Sequence, residues 1–360
     1  MSPCVLDAWL AGKCGAGAAD LATAVREEQL VRLRAQLDYA RARSPFYRER
    51  LQGVSGKHFS WDDLPGLPFT TARDILDWEK FLCVSHGDVE RIVTLRTSGS
   101  SGPPKRLAFS RADLAATKDF FQAGMAQLVR AGDRALALWP GAARPYGVSA
   151  LLREALGEQG ITVFAGAPAA TPAGLRREIA EYDPHVVIAA PRQLASLAAL
   201  LAEAPWDGRR IALRGILSSA ENLPPELADA LQKRFGLQVL DHYGMTESGY
   251  GCGVECPAHD GHHLRELDLL VEIVDIASGV PLPDGELGEI VLTTLTREAM
   301  PLIRYRSGDA AAMLPGPCRC GSPLRRLSPV KGRIVREGAT YDIAHIAKGH
   351  FGERTACASL

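Results

Sequence analysis

The chain has 360 residues, 46% apolar and 23% charged, a balance that suits a packed body of one large domain plus a small one, or two of medium size. Its 41 basic and 42 acidic residues leave a net charge of −1, which argues against a nucleic-acid or membrane partner held mainly by charge. No stretch reaches the roughly 18 apolar residues of a spanning helix, and no basic n-region precedes the short apolar run near the N-terminus, so the expectation is a cytoplasmic protein.

In chain order, Leu30, Leu33, Leu37 and Ala40 recur at helical spacing and predict a helix over 18–43, ended by Ser44-Pro45. SPFYRERL follows, with two aromatics expected to anchor on the body. The Pro-punctuated stretch 61–71 reads as extended, and Thr71 with Asp74 has the spacing of a capping box. A short β-like run at 91–95 then leads into TSGSSGPPKR, residues 97–106. Glycine permits backbone geometry in which successive N–H groups converge on an anion; Thr97, Ser98, Ser100 and Ser101 add hydroxyl donors, and Lys105 adds charge. That is phosphate-holding chemistry, although the P-loop pattern is absent and the stretch leads into a strand at 107–109 rather than a helix. Taken alone, the same composition also describes a flexible linker.

Ser110 and Asp113 repeat the capping signature before a helix predicted at 114–129. Strands predicted at 135–139, 161–165, 185–190, 215–219 and 238–241 alternate with helices at 148–156, 173–182, 193–202 and 225–235. Such alternation predicts an α/β body whose largely parallel sheet is flanked by helices. Ligand crevices in such folds lie beyond the carboxyl ends of strands, which singles out the loops after Ser219 and Asp241. Beyond Leu267 two β-rich runs, LDLLVEIVD and LGEIVLTTL, join through a Pro/Asp/Gly turn and predict a small antiparallel β-subdomain.

Three short phrases carry chemistry. In YGMTE the Tyr243 ring can stack on a planar base, the Thr246 hydroxyl can donate to phosphate and Glu247 can hold Mg²⁺; a surface turn is the plainer reading. In YRSGD, Asp309 after a Gly turn can accept two ribose hydroxyls, or can sit in a turn beside an arginine. In SSAEN, Ser219 and Glu221 can cap the following helix or face a ligand.

TSGSSGPPK, SAEN, YGMTE and YRSGD, in this order, resemble the signature loops of the adenylate-forming superfamily. SPFYRERL, LPFTT, CPAHDGHHL and CRCGSPLRRLSPVKGR are similar to phrases of its phenylacetate–CoA ligase branch, so the resemblance spans roughly residues 30–333. It implies an adenylate-forming N-terminal body over 1–266, a β-subdomain over 267–332 and a residual hinge over 333–360. It also implies that Thr97, Ser98, Gly99, Ser100, Ser101 and Gly102 close over the outer phosphates of ATP, with Ser219, Ala220, Glu221, Tyr243 and Gly244 around the adenine. Asp309 would hold the ribose with Arg333 nearby, and Lys105, Thr246 and Glu247 would serve the chemistry, Glu247 through Mg²⁺. Tyr146 and the segment 242–249 would wall the acid pocket. The implied reaction is adenylation of a carboxylic acid, aryl by resemblance, with release of pyrophosphate, followed by transfer to coenzyme A.

The chain also departs from that family. A mobile C-terminal domain of about a hundred residues is expected, yet about 27 residues follow Arg333, and the hinge acid is replaced by Ile334, Val335 and Arg336. Lys348 has no context matching the family's catalytic lysine. Three readings follow: a CoA ligase, an adenylating enzyme serving a carrier-protein thiol or an amine, and a non-catalytic nucleotide-binding remnant. A partner or a homodimer could supply the missing part. Separately, Cys256, His263, Cys318 and Cys320 would suit tetrahedral Zn²⁺, with Cys252, His259 or His262 as alternative ligands and four reduced loop cysteines as the plainer reading.

Overall fold

The structure is a computed structural model that describes residues 4–95, 104–139, 147–166, 172–203, 211–337 and 340–344. Residues 97–102 of the expected phosphate loop, Tyr146 and Lys348 lie outside these.

The chain starts with helices α1 (Val5–Cys14), α2 (Leu21–Arg43) and α3 (Pro45–Arg50). On α2, Leu21, Val25, Leu33, Leu37 and Ala40 form the buried stripe that the sequence spacing requires. Two glutamines share that stripe and are satisfied: Gln29 donates to Glu266 O at 2.8 Å and Gln36 to Arg297 O at 2.7 Å. Residues 61–66, expected to be extended, instead coil into the 3₁₀ helix Trp61–Gly66, because Ser60 and Asp63 cap each other. Strands β1 (Arg91–Leu95) and β2 (Lys105–Phe109) pair antiparallel, with Leu95 opposite Lys105.

Helix α4 (Arg111–Met125) begins at the expected Ser110–Asp113 capping box. The body follows as β3 (Arg134–Leu138), α5 (Val148–Gly157), β4 (Thr162–Ala165), α6 (Pro172–Tyr182), β5 (Val186–Ala189), α7 (Pro191–Ala202), β6 (Gly215–Ser218), α8 (Pro225–Asp229) and β7 (Gln238–Tyr243). These strands are parallel in the order β4-β3-β5-β6-β7. Alternate residues serve opposite faces. Ala135, Ala137, Val186, Ile188 and Leu240 pack with Phe120, Met125 and Leu152, while Leu136, Leu138, Val187, Ile216 and Val239 pack with Leu175, Leu194 and Leu197. Both faces are therefore buried, which explains the nearly continuous apolar runs in the sequence.

The sheet is parallel only up to β7. It continues antiparallel through β8 (Gly253–Glu255) and β9 (His262–Leu264). A second, antiparallel sheet contains β10 (Leu269–Val274), β11 (Gly288–Thr294) and β12 (Tyr305–Ala311). Strands β13 (Met313–Leu314) and β14 (Arg326–Leu327) come from the segment expected as a separate β-subdomain, yet they extend the first sheet beside β9. Strands β15 (Gly332–Glu337) and β16 (Thr340–Ala344), from the expected hinge, complete the second sheet in the order β10-β11-β12-β15-β16. Among the described residues no helix is long and apolar enough to cross a membrane.

Arg304, fully buried, locks the second sheet to the Pro-punctuated segment. Its Nε and Nη2 reach Glu272 at 3.2 and 3.0 Å, its Nη1 donates to Pro65 O and Leu67 O, and its guanidinium lies 4.2 Å from the centre of the Phe69 ring. Arg304→Ala leaves the Glu272 carboxylate buried without its partner and is expected to cost about 3–5 kcal/mol. The shift of the urea unfolding midpoint measures it, and a loss below about 1 kcal/mol would contradict this role.

Candidate active site

The carboxyl ends of β6 and β7 lie side by side, with Ser218 opposite Asp241. Glu247 sits on the turn after β7 and is 4% exposed. Two elements far away in sequence meet on its Oε1: Lys105 Nζ from the start of β2 at 2.6 Å, and the Tyr305 hydroxyl from β12 at 3.1 Å. Arg297, itself buried, donates to the Glu247 carbonyl at 3.3 Å. Gly249 closes the turn at φ 76°, a left-handed backbone that favours glycine.

Asp309 is the second focus. Its Oδ2 accepts from the Tyr243 hydroxyl at 3.0 Å, and its Oδ1 pairs with Arg333 Nε at 2.8 Å. Strand pairing sets that ion pair, because Asp309 and Arg333 are register partners between β12 and β15. Burial pushes the Asp309 carboxyl up, while Arg333 and the Tyr243 hydroxyl oppose the shift. Burial, with the nearby Asp309 carboxylate, likewise holds the Tyr243 phenol well above its usual range, so it stays a donor.

Neither Ser219 nor Glu221 caps α8, whose first turn starts at Pro225 without a side-chain cap. Ser219 Oγ lies instead 2.9 Å from Nδ1 of His242, and Glu221 approaches Arg192 at 3.9 Å. Ala220 is exposed and holds φ 76°, strained backbone for a residue with a Cβ. Beside these loops opens an apolar cavity with about 620 Å³ of free space, part of it open to solvent. It runs from Ser219, Ala220, Gly244 and Met245 to Phe120 and Phe121 on α4. The structure thus gathers Lys105, Ser219, Ala220, Tyr243, Gly244, Thr246, Glu247, Asp309 and Arg333 around one seam between the two sheets. The Tyr305 hydroxyl on Glu247 carries no sequence signal of its own beyond membership of YRSGD.

A separate cluster forms where β14 pairs with β9, with Arg326 opposite His263. That register carries the turn holding Cys318 and Cys320 onto His263 and Cys256. The Cys256 and Cys318 sulfurs are 3.7 Å apart, Cys320 Sγ is 3.7 Å from His263 Nε2, and the four donor atoms lie within 4.8 Å of one another. Burial and Arg326 hold the His263 imidazole down at about 4, so it is neutral. The alternatives left open by spacing are engaged elsewhere: His262 pairs with Asp241 at 3.1 Å, His259 with Glu255 at 3.2 Å, and Cys252 packs in the core. Cys4, unforeseen from sequence, lies with Asp7 against the same His263.

Residues 91–295 match the family model described as AMP-binding enzyme. The phenylacetate–coenzyme A ligase of Thermus thermophilus is 32% identical over 322 residues, covering 86% of this chain and 70% of that protein. The phenylacetate–coenzyme A ligase of Pseudomonas putida is 30% identical over 327 residues, covering 86% and 71%. Among solved structures, a 2-hydroxyisobutyryl-CoA ligase in complex with 2-HIB-AMP and CoA superposes with a TM-score of 0.75 at 22% identity, covering 90% of this chain and 78% of the other, which establishes the shared fold. The chain belongs to the AMP-binding enzymes, as an AMP-dependent acid–CoA ligase that adenylates a carboxylic acid with ATP and then forms the CoA thioester.

Proposed function

We propose that this ligase acts on an aryl monocarboxylic acid bound in the apolar cavity, with the reaction centre at the seam where Glu247 and Asp309 lie. The convergence of Lys105 and Tyr305 on the Glu247 carboxylate, next to an apolar cavity, is the observation that carries the reading. In the first step a carboxylate oxygen of the acid attacks the α-phosphorus of ATP, the P–O bond to the β-phosphate breaks, and pyrophosphate leaves. In the second the thiolate of coenzyme A attacks the acyl carbon and AMP departs. Asp309 accepts the ribose hydroxyls, the Tyr243 ring lies against the adenine with Ser219, Ala220 and Glu221 at its other edge, and Thr246 donates to the α-phosphate. Lys105 moves its charge from Glu247 to phosphate. Residues 97–102 complete the phosphate grip in this reading. Both steps depend on positioning and charge rather than on a protein nucleophile.

One buried carboxylate with free coordination capacity suits Mg²⁺, which takes few protein ligands and keeps phosphate oxygens and water around it. Glu247 would hold the ion, and the ion would neutralise charge on the phosphates. For Zn²⁺ the fit is geometric. Zinc–sulfur bonds of about 2.3 Å in a tetrahedron require sulfurs about 3.8 Å apart, and Cys256 and Cys318 stand 3.7 Å apart. Cys256, His263, Cys318 and Cys320 would therefore hold a structural zinc.

Glu247→Gln is expected to slow acid-dependent ATP–pyrophosphate exchange on the order of a hundredfold, and Asp309→Ala to raise the KM for ATP about tenfold. Exchange kinetics across a panel of aryl acids checks both, and unchanged values in both variants would refute these assignments. Elemental analysis of the purified protein is expected to give about one zinc per chain, falling in Cys318→Ser; zinc-free protein that is fully folded would remove the metal from this account.

A further inference from the structure

The walls of the acid cavity say more than that its occupant is apolar. Among the described residues lining it none carries a permanent charge, and the side chains with a nitrogen or oxygen are Trp139, Ser219, His242 and Tyr250. The Tyr250 hydroxyl is engaged by Arg91, and the Trp139 Nε1 is buried behind the wall without a hydrogen-bond partner among the described residues. Among the described residues the polar groups that reach the cavity surface are therefore those of the His242–Ser219 pair. Ser219 Oγ holds Nδ1 at 2.9 Å, whereas no described protein group bonds Nε2. Two glycines make room for the ring. A Cβ at Gly244 would come within 2.8 Å of His242 Cε1, and one at Gly251 within 3.3 Å of Nε2. Burial in these apolar surroundings, with His262 and Arg265 nearby, pushes the imidazole down to about 3, so it is neutral and offers one donor and one acceptor nitrogen.

We infer that the acid accepted here is an aromatic monocarboxylic acid with a hydroxyl on its ring, and that this hydroxyl pairs with Nε2 of His242. The inference rests on the ligase reading for the position of the carboxylate. Aromatic walls at Phe120, Phe121, Trp139 and Tyr250 suit a ring. The described walls hold no charge that would pair an ammonium group or a second carboxylate, which argues for an uncharged ring substituent. A hydroxyl both donates and accepts, so it satisfies Nε2 whichever tautomer Ser219 selects. An unsubstituted ring would cover Nε2 and leave it unpaired, and a site built to pair a substrate hydroxyl discriminates strongly against the analogue lacking it.

Equilibrium titration tests this on the intact chain, by calorimetry or by the fluorescence of Trp139 in the cavity wall. The ligands are phenylacetic and benzoic acids, each with its three monohydroxy isomers. At least one hydroxy isomer is expected to bind about tenfold or more tightly than its parent acid. His242→Leu should bring that ratio to about one, by weakening the hydroxy isomer and by sparing the parent acid the burial of an unpaired nitrogen. His242→Phe, which keeps a ring without nitrogens, should do the same, and whichever variant retains its unfolding midpoint supplies the answer. Parents and hydroxy isomers binding alike, a ratio that survives both substitutions, or no binding by any acid would overturn the inference. Acid-dependent ATP–pyrophosphate exchange is scored separately. Selective binding without exchange would overturn the ligase reading of this chain and leave the hydroxyl preference standing.

Discussion

One carboxylate organises the site. Glu247 is almost sealed from water, and an unpaired charge there would cost several kcal/mol. Lys105 and Tyr305 remove that cost by meeting on a single oxygen, and in doing so they fix three separate pieces of chain relative to one another: the β1–β2 pair, the turn after β7, and β12. Arg297 holds the same turn through its backbone.

Asp309 ties the same seam from the other side. Tyr243 ends β7 of the first sheet, Arg333 lies on β15 of the second, and Asp309 on β12 receives both. The two sheets are thus joined through side chains at the point where the functional loops emerge. Arg304 holds the root of β12 from behind, since its guanidinium is engaged by Glu272 and two carbonyls from the 65–67 turn. Packing makes each sheet rigid, and a few charged contacts set their relative position. This is the arrangement a site needs if it works by holding reactants in place.

The four phrases proposed to hold ATP could be picked out of the sequence because each is contiguous and has its own residue chemistry, and the structure brings Ser219, Glu247 and Asp309 of three of them to one seam. The alternating body was legible because a sheet buried on both faces leaves apolar runs separated by amphipathic helices. Features that depend on pairing across distant segments were not. Local pattern cannot show that β13 and β14 return to the first sheet, that Tyr305 reaches Glu247, or that Cys4 comes to His263. Ser219 is instructive, since its position before a helix fits capping, yet His242 on the neighbouring strand takes its hydroxyl. The coil at 61–66 escaped notice because its Ser60–Asp63 cap lies hidden among prolines that argue for an extended chain.

The choice between His262 and His263 follows from the pleat of β9. Adjacent strand residues face opposite ways, so when one histidine turns to the cysteines the other must turn to β7. His263 joins Cys320, and His262 reaches Asp241, next in sequence to the cavity residue His242. Strand β8 repeats the connection, because Val254 lines the apolar cavity and Cys256 stands two residues further on. The cysteine cluster and the cavity wall are therefore built on the same short antiparallel strands. These strands have only a few ladder bonds each and little propensity to stay paired alone. Side-chain cross-links beyond the ladder are what such strands require if they are to hold a pocket to a fixed shape, and the cluster lies where β8 and β9 can receive one.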